Sequence, residues 1–273
     1  MISDMLSKRV VKVCMKQFDL GQCSAIGTRE DQQDAFLLLV DGNCVLAAVC
    51  DGMGGLHEGG HAANTAVMTL EKLYQKKMRE QSMNDFYMAV VDILDESVFG
   101  LRQTAANRQP SGTTIVSVGI CGNLMHWLSV GDSRLYIVRD KEIVCATTDH
   151  NYMLLLRNSV KAGEISPEEY RKEKEKGDAL VSYIGMGGVD LMDCNQAPFV
   201  LQEQDVVILT SDGLYRCVSD EEIRCVAIRG EKAQEIADQL VGLAGKNSVC
   251  EQDNTTVIVI KYRGDKEYET DKM

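Results

Sequence analysis

The chain has 273 residues, 45% of them hydrophobic and 26% charged, with a net charge of −12. That length can bury a full core as one large domain or two small ones, and the composition is that of an ordinary globular protein rather than a fibrous or disordered one. The acidic balance argues against nucleic acid or an anionic membrane as a main partner, and no apolar stretch approaches the ~18–20 residues of a membrane span.

Residues 1–16 mix apolar and basic positions without a clear period, and their structure is left undecided. Residues 17–262 read as one domain, because only three prolines occur and no Pro/Ser-rich linker interrupts the strand-like runs. Residues 18–26 read as a strand, 27–33 as a polar turn and 35–40 as a second strand. Asp41-Gly42-Asn43 is hairpin chemistry, since Gly and Asn tolerate positive φ, and 44–50 returns as a strand apolar enough to be buried on both faces. Helices follow over 61–80, with Ala62, Ala66, Leu70, Leu73 and Tyr74 at spacings of three and four, and over 83–104 on the same pattern. Four strands, 113–121, 124–130, 135–138 and 142–146, read as a meander turning at Gly122-Asn123 and Asp140-Lys141.

From 149 to 182 the chain is helical and highly charged. Ser166-Pro167-Glu168-Glu169 starts a helix with a Ser cap, Pro at the first position and Glu three residues on, and Gly177 ends it. A buried strand is expected at 206–210 and a helix over 219–229 behind a Ser219/Glu222 capping box. A further helix over 231–244 and a last strand over 255–262 precede a charged, fraying tail at 263–273. Antiparallel strand runs with helices inserted in pairs indicate an α+β layered fold. The ten cysteines lie scattered in apolar runs, without a C-x-x-C pair or a signal-peptide pattern, and predict reduced thiols in a cytoplasmic protein.

The chemistry concentrates where apolar runs meet aspartates framed by small residues. Residues 46–50 run into Asp51-Gly52-Met53-Gly54-Gly55, residues 125–130 into Gly131-Asp132-Ser133-Arg134, and residues 206–210 into Ser211-Asp212-Gly213-Leu214, while Asp253-Asn254 opens 255–260. Carboxylates gathered at one sheet edge repel one another unless a hard cation such as Mg²⁺ or Mn²⁺ sits among their oxygens. Two such ions about 3.5–4 Å apart share a water, lower its pKa toward neutrality and stabilise the oxygens of an in-line attack on phosphorus. Glycines at 52, 54 and 55 leave a backbone carbonyl free to ligate.

The ordered set Arg29…Gln33-Asp34, Asp51-Gly52-Met53-Gly54-Gly55, Ser111-Gly112-Thr113-Thr114, Gly131-Asp132-Ser133-Arg134, Asp149-His150, Ser211-Asp212-Gly213 and Asp253-Asn254 resembles the metal-dependent protein phosphatase 2C family. The resemblance implies two packed antiparallel β-sheets flanked by helices on both sides, a four-layer αββα sandwich, with two Mn²⁺ or Mg²⁺ ions at one end. It implies that Asp51 bridges both metals, that the Gly52 carbonyl binds the second, and that Asp212 and Asp253 complete the first. Asp34 is then an outer-shell residue, Asp132 matches a weaker third-metal position, and Arg29 matches the arginine that grips the substrate phosphate, as its planar fork suits. Residues 158–182 fall in the family's variable flap beside the active site.

The implied activity is a serine/threonine phosphoprotein phosphatase, with phosphorylated proteins as substrates and a serine/threonine kinase as its counterpart. A small-molecule phosphatase of the same fold and a non-catalytic phosphoprotein-binding module are the alternatives. Gln33 stands where many members carry glutamate, which predicts weaker binding of the second metal. Met53 stands where some carry a histidine that protonates the leaving group; His57 and His61 are the nearby substitutes, against their reading as helix-start side chains facing solvent. Gly185-Met186-Gly187-Gly188 lacks the Lys-Ser/Thr of a phosphate loop and reads as a structural turn. The run 171–176 reads as a solvated helix face, with substrate contact as the other reading.

Overall fold

The computed structural model describes residues 17–54, 57–77, 82–103, 111–249 and 251–264. The expectations for 1–16, 78–80, 104 and most of the tail lie outside them. Its strands are β1 (Phe18–Ala25), β2 (Asp34–Asp41), β3 (Cys44–Met53), β4 (Gly112–Thr113), β5 (Ile115–Cys121), β6 (Leu124–Val130), β7 (Arg134–Arg139), β8 (Glu142–Cys145), β9 (Asp193–Cys194), β10 (Phe199–Val200), β11 (Val206–Thr210) and β12 (Thr255–Tyr262). Its helices are α1 (Glu58–Lys77), α2 (Met83–Phe99), α3 (Tyr152–Ala162), α4 (Pro167–Glu173), α5 (Asp212–Tyr215), α6 (Asp220–Arg229) and α7 (Ala233–Asn247), with 3₁₀ turns at Gly100–Gln103 and Lys174–Lys176.

One sheet has the order β1-β12-β11-β7-β8 and the other β10-β6-β5-β3-β2, with β4 paired to β3 and β9 to β6. Strand alternation divides the side chains of β3 between two cores. Val45, Ala47 and Val49 face the other sheet and pack with Val116, Ile137, Leu209 and Ile258. Leu46, Ala48 and Cys50 face outward onto Ala62, Ala66, Leu70, Phe86 and Leu94 of α1 and α2. On the far side, Tyr136, Ile208 and Val259 meet Ile223 of α6 and Ile236 and Leu240 of α7. The result is the αββα sandwich, with each fully buried aliphatic side chain contributing about 1.5–3 kcal/mol.

Two expectations are corrected. The four middle strands are not a meander: β5–β6 and β7–β8 are hairpins in different sheets. The chain crosses between the sheets at Gly131-Asp132-Ser133, where Gly131 (φ 100°) makes the turn against Thr114. Period and turn chemistry identify hairpins, but carry no information on which pair shares a sheet. The cysteines are not all reduced: Cys44 and Cys121 are opposed in the β3–β5 ladder and joined by a disulfide. Their separation of 77 residues hides that register from a reading of spacing. Six other cysteines, at 23, 50, 145, 194, 217 and 225, are free thiols.

Local signals fare better. Capping boxes close at Ser166/Glu169 and Ser219/Glu222, and Gly122, Asp140 and Lys141 take the positive φ their hairpin turns require. The Gly185–Gly188 segment is a structural turn: the Gly185 and Gly187 N–H groups donate to the buried carboxylate of Asp95. The short strands β9 and β10 and the single-turn α5 carry no periodic signal in the sequence.

Candidate active site at the acidic end of the sandwich

Antiparallel order brings distant strand ends together. β2 starts at Asp34 opposite Asp51 near the end of β3, β11 ends at Thr210 just before Ser211-Asp212, and β12 starts at Thr255 just after Asp253-Asn254. Asp132 lies in the sheet crossover. The negative charges of Asp34, Asp212, Asp132 and Asp253 all act on Asp51, so the five acids share one end of the molecule.

Close backbone approach explains the glycines. A Cβ at Gly52 would collide with the Gly59 carbonyl at the start of α1, and one at Gly213 with the Asn254 carbonyl. Asp51 is clamped from both sides of its peptide: its N–H donates to Thr114 Oγ1 (3.0 Å), while its carbonyl accepts from Thr114 N–H (2.9 Å) and Thr113 Oγ1 (3.0 Å). That is the work of the Ser-Gly-Thr-Thr motif. Asn254 ties the β1–β2 loop to the start of β12, accepting from Gln33 N–H (2.7 Å) and donating to the carbonyls of Ile26 and Asp31.

Burial first, then the surrounding carboxylates, pushes Asp51 well above the usual aspartate range. Burial likewise takes Asp34 up to about 7, with the nearby Thr256 and Ser211 hydroxyls holding it back, and takes Asp132 up to about 6. Asp212 is raised by burial against the lowering charge of Arg216. Ser211 Oγ donates to Asp34 Oδ2 (2.8 Å), but Asp34 Oδ1 and Asp212 Oδ1 are buried without a hydrogen-bond partner. Buried carboxylate oxygens left unpaired are costly.

Among the described residues no three His, Cys, Asp or Glu side chains are drawn into one closed metal cage. The donor set nevertheless fits a hard divalent cation: all oxygen, several carboxylates within one another's field, two of their oxygens without a hydrogen-bond partner.

Arg29 is brought to this end by an ion pair with Asp253 (2.7 Å), its side chain more than half exposed. Gln33 engages the site through its backbone, accepting from Gly52 N–H (3.1 Å). His57 pairs with Asp31 (2.9 Å) on the surface and His61 is exposed. Three contributors have no role in the motif reading: Ser211, which holds Asp34; Asn254; and Arg216, whose Nε donates to Asp212 Oδ2 (2.7 Å). Ser211 and Asn254 stand beside predicted ligands, but Arg216 carries no signal without the fold. The helical insert of α3 and α4 is closed at its base by bonds from Tyr152 and Met153 N–H to Ala179 and Gly177. It reaches the site where Asp178 meets Arg216 (3.3 Å).

With sandwich and acid cluster in view, comparison with known proteins places the class. The family model described as protein phosphatase 2C matches residues 22–240, and the chain belongs to that family. Protein phosphatase PhpP of Streptococcus pneumoniae is 28% identical over 214 residues, covering 78% of this chain and 83% of its own length. Serine/threonine phosphatase stp of Listeria welshimeri is 26% identical over 222 residues, 80% of this chain and 85% of its own. Among solved structures, the S. agalactiae serine/threonine phosphatase superposes with a TM-score of 0.76 at 26% identity, covering 90% of this chain and 99% of that one. The catalytic domain of the serine threonine protein phosphatase PstP, solved with two manganese ions, gives 0.70 at 25% identity over 90% and 99%.

Proposed function

We propose that this protein phosphatase hydrolyses phosphoserine and phosphothreonine in proteins, with two Mn²⁺ or Mg²⁺ ions held by Asp51, the Gly52 carbonyl, Asp212 and Asp253. Asp34 stands in the outer shell. The observation that carries the reading is the pair of buried, unpartnered oxygens, Asp34 Oδ1 and Asp212 Oδ1, within a set of mutually repelling acids. When bound, the ions supply a water of lowered pKa and charge stabilisation for a phosphoryl group. The manganese ions of the PstP catalytic domain and the serine/threonine phosphatases among the relatives support this choice of ion and substrate.

The chain's own residues do the rest. The Thr113/Thr114 clamp fixes Asp51, and Ser211 fixes Asp34. Arg29, exposed and held at the rim by Asp253, would offer a guanidinium fork to the substrate phosphate. The substrates are phosphorylated proteins of the cytoplasm, opposed by a serine/threonine kinase. The six free cysteines support that compartment, and the Cys44–Cys121 bond weighs against it.

Incubation with a phosphothreonine peptide and Mn²⁺ is expected to release phosphate. Excess EDTA or Asp212→Ala is expected to stop it, and full activity with either would overturn the reading. Faster release from sugar or nucleotide phosphates than from phosphopeptides would move the substrate class to small molecules.

A further inference from the structure

Arg216 is a cation placed inside the acid cluster. It is the C-terminal cap residue of α5, the single turn that Asp212 begins, so one helical turn brings its guanidinium back over that carboxylate. Nε donates to Asp212 Oδ2 (2.7 Å), and Nη1 reaches Asp178 Oδ2 at the base of the helical insert (3.3 Å). The Asp212 carboxylate is thereby divided: Oδ2 is committed to the arginine, while Oδ1 is buried and without a partner.

Asp132, 5% exposed, is tied to the same turn, its backbone carbonyl accepting from the Tyr215 hydroxyl (3.0 Å). Among the carboxylates around it, Asp149 is held in a two-pronged pair by Arg134 (2.8 and 2.6 Å), and Asp212 by Arg216. Arg216 also acts directly on Asp132 as a positive charge. A guanidinium has N–H donors only and stays charged at any physiological pH. It neutralises carboxylates as a metal does, but offers no open coordination position.

We propose that Arg216 takes the place of a third divalent ion on the Asp132 side of the cluster, so that this enzyme holds two ions and excludes the third. The inference rests on the two-ion reading above. An ion arriving beside Asp132 would meet that resident positive charge, and the Asp212 oxygen on the arginine's side is already donated to. The exposed Asp178 arm (75%) is screened by water and adds little.

The test is a count of Mn²⁺ by isothermal calorimetry, with metal analysis after dialysis, on the full chain. Wild type is expected to bind two ions. Arg216→Ala and Arg216→Gln are expected to bind a third, weaker one, Arg216→Lys to remain at two, and Asp132→Asn in the Arg216→Ala background to return to two. Three ions in wild type would overturn this inference and leave the two-ion reading standing. So would a count that stays at two in folded Arg216→Ala and Arg216→Gln. Wild-type protein that binds no manganese would overturn both. If neither variant folds, the wild-type count decides alone.

Discussion

The two ends of the sandwich bury aspartate in opposite ways. At the end remote from the acid cluster, Asp205 is 1% exposed, yet both its oxygens are used: Arg139 grips them with Nε (2.8 Å) and Nη2 (2.5 Å), and Gln202 N–H adds a third bond at 2.8 Å. At the acidic end Asp34 is 6% exposed, one of its oxygens takes Ser211 and the other takes nothing. Burial is common to both, and its cost is met only at the first. A buried carboxylate is a structural tie where its partners are complete, and a site where they are left incomplete.

The sharpest way to break that contrast is Asp51→Asn. Removing one charge from the repelling set is expected to cost roughly 10³–10⁴-fold in phosphate release, about 4–5.5 kcal/mol of transition-state stabilisation. The metal-free protein should melt no lower than wild type. A variant that loses stability and keeps activity would invert the assignment of that end.

At the other end, Arg139→Ala strands a buried charge. It is expected to cost about 3–5 kcal/mol in urea unfolding, with the rate per folded molecule unchanged. A loss under 1 kcal/mol would mean that Asp205 is not sustained by its arginine.

Metal should repair the acidic end alone. Mn²⁺ at a hundredfold over its dissociation constant is expected to stabilise wild type by about 2.7 kcal/mol for each ion bound and Asp51→Asn by far less, read from thermal melts with and without EDTA. Equal shifts in the two proteins would place the ion elsewhere.

The last test is a pH trend in the metal-free protein. Asp34 is raised from 3.8 to about 7 in the fold. Between those values the native state holds a proton that the unfolded chain has released, so stability falls as pH rises from about 4 to about 7. The slope is on the order of 1 kcal/mol per pH unit. Urea melts at pH 5, 6 and 7 measure it. Stability that rises over this range would contradict a protonated Asp34, and saturating Mn²⁺, which competes with protons for carboxylates, should flatten the trend.

Much of this molecule was legible before its fold. The αββα architecture follows the family resemblance, the hairpins at Gly122-Asn123 and Asp140-Lys141 follow from two-residue breaks short enough for antiparallel pairing, and both capping boxes stand where Ser and Glu are spaced by three. The acids were legible too, because each ends or opens an apolar run, and strand ends in a sandwich share an edge. Illegible were the facts that depend on which strands lie side by side. Nothing local says that β6 and β7 part into different sheets, or that Cys44 opposes Cys121.

The order of residues along the chain thus determined which segments become strands and helices and which aspartates stand at their ends, because period, caps and turns act over a few residues. Only the tertiary structure decided which oxygens are left without a partner and which arginine reaches them, because hydrogen bonds and charges act across space. Ser211 meets Asp34 from 177 residues away. Arg216, four residues from Asp212, has a role only because α5 turns it toward the cluster.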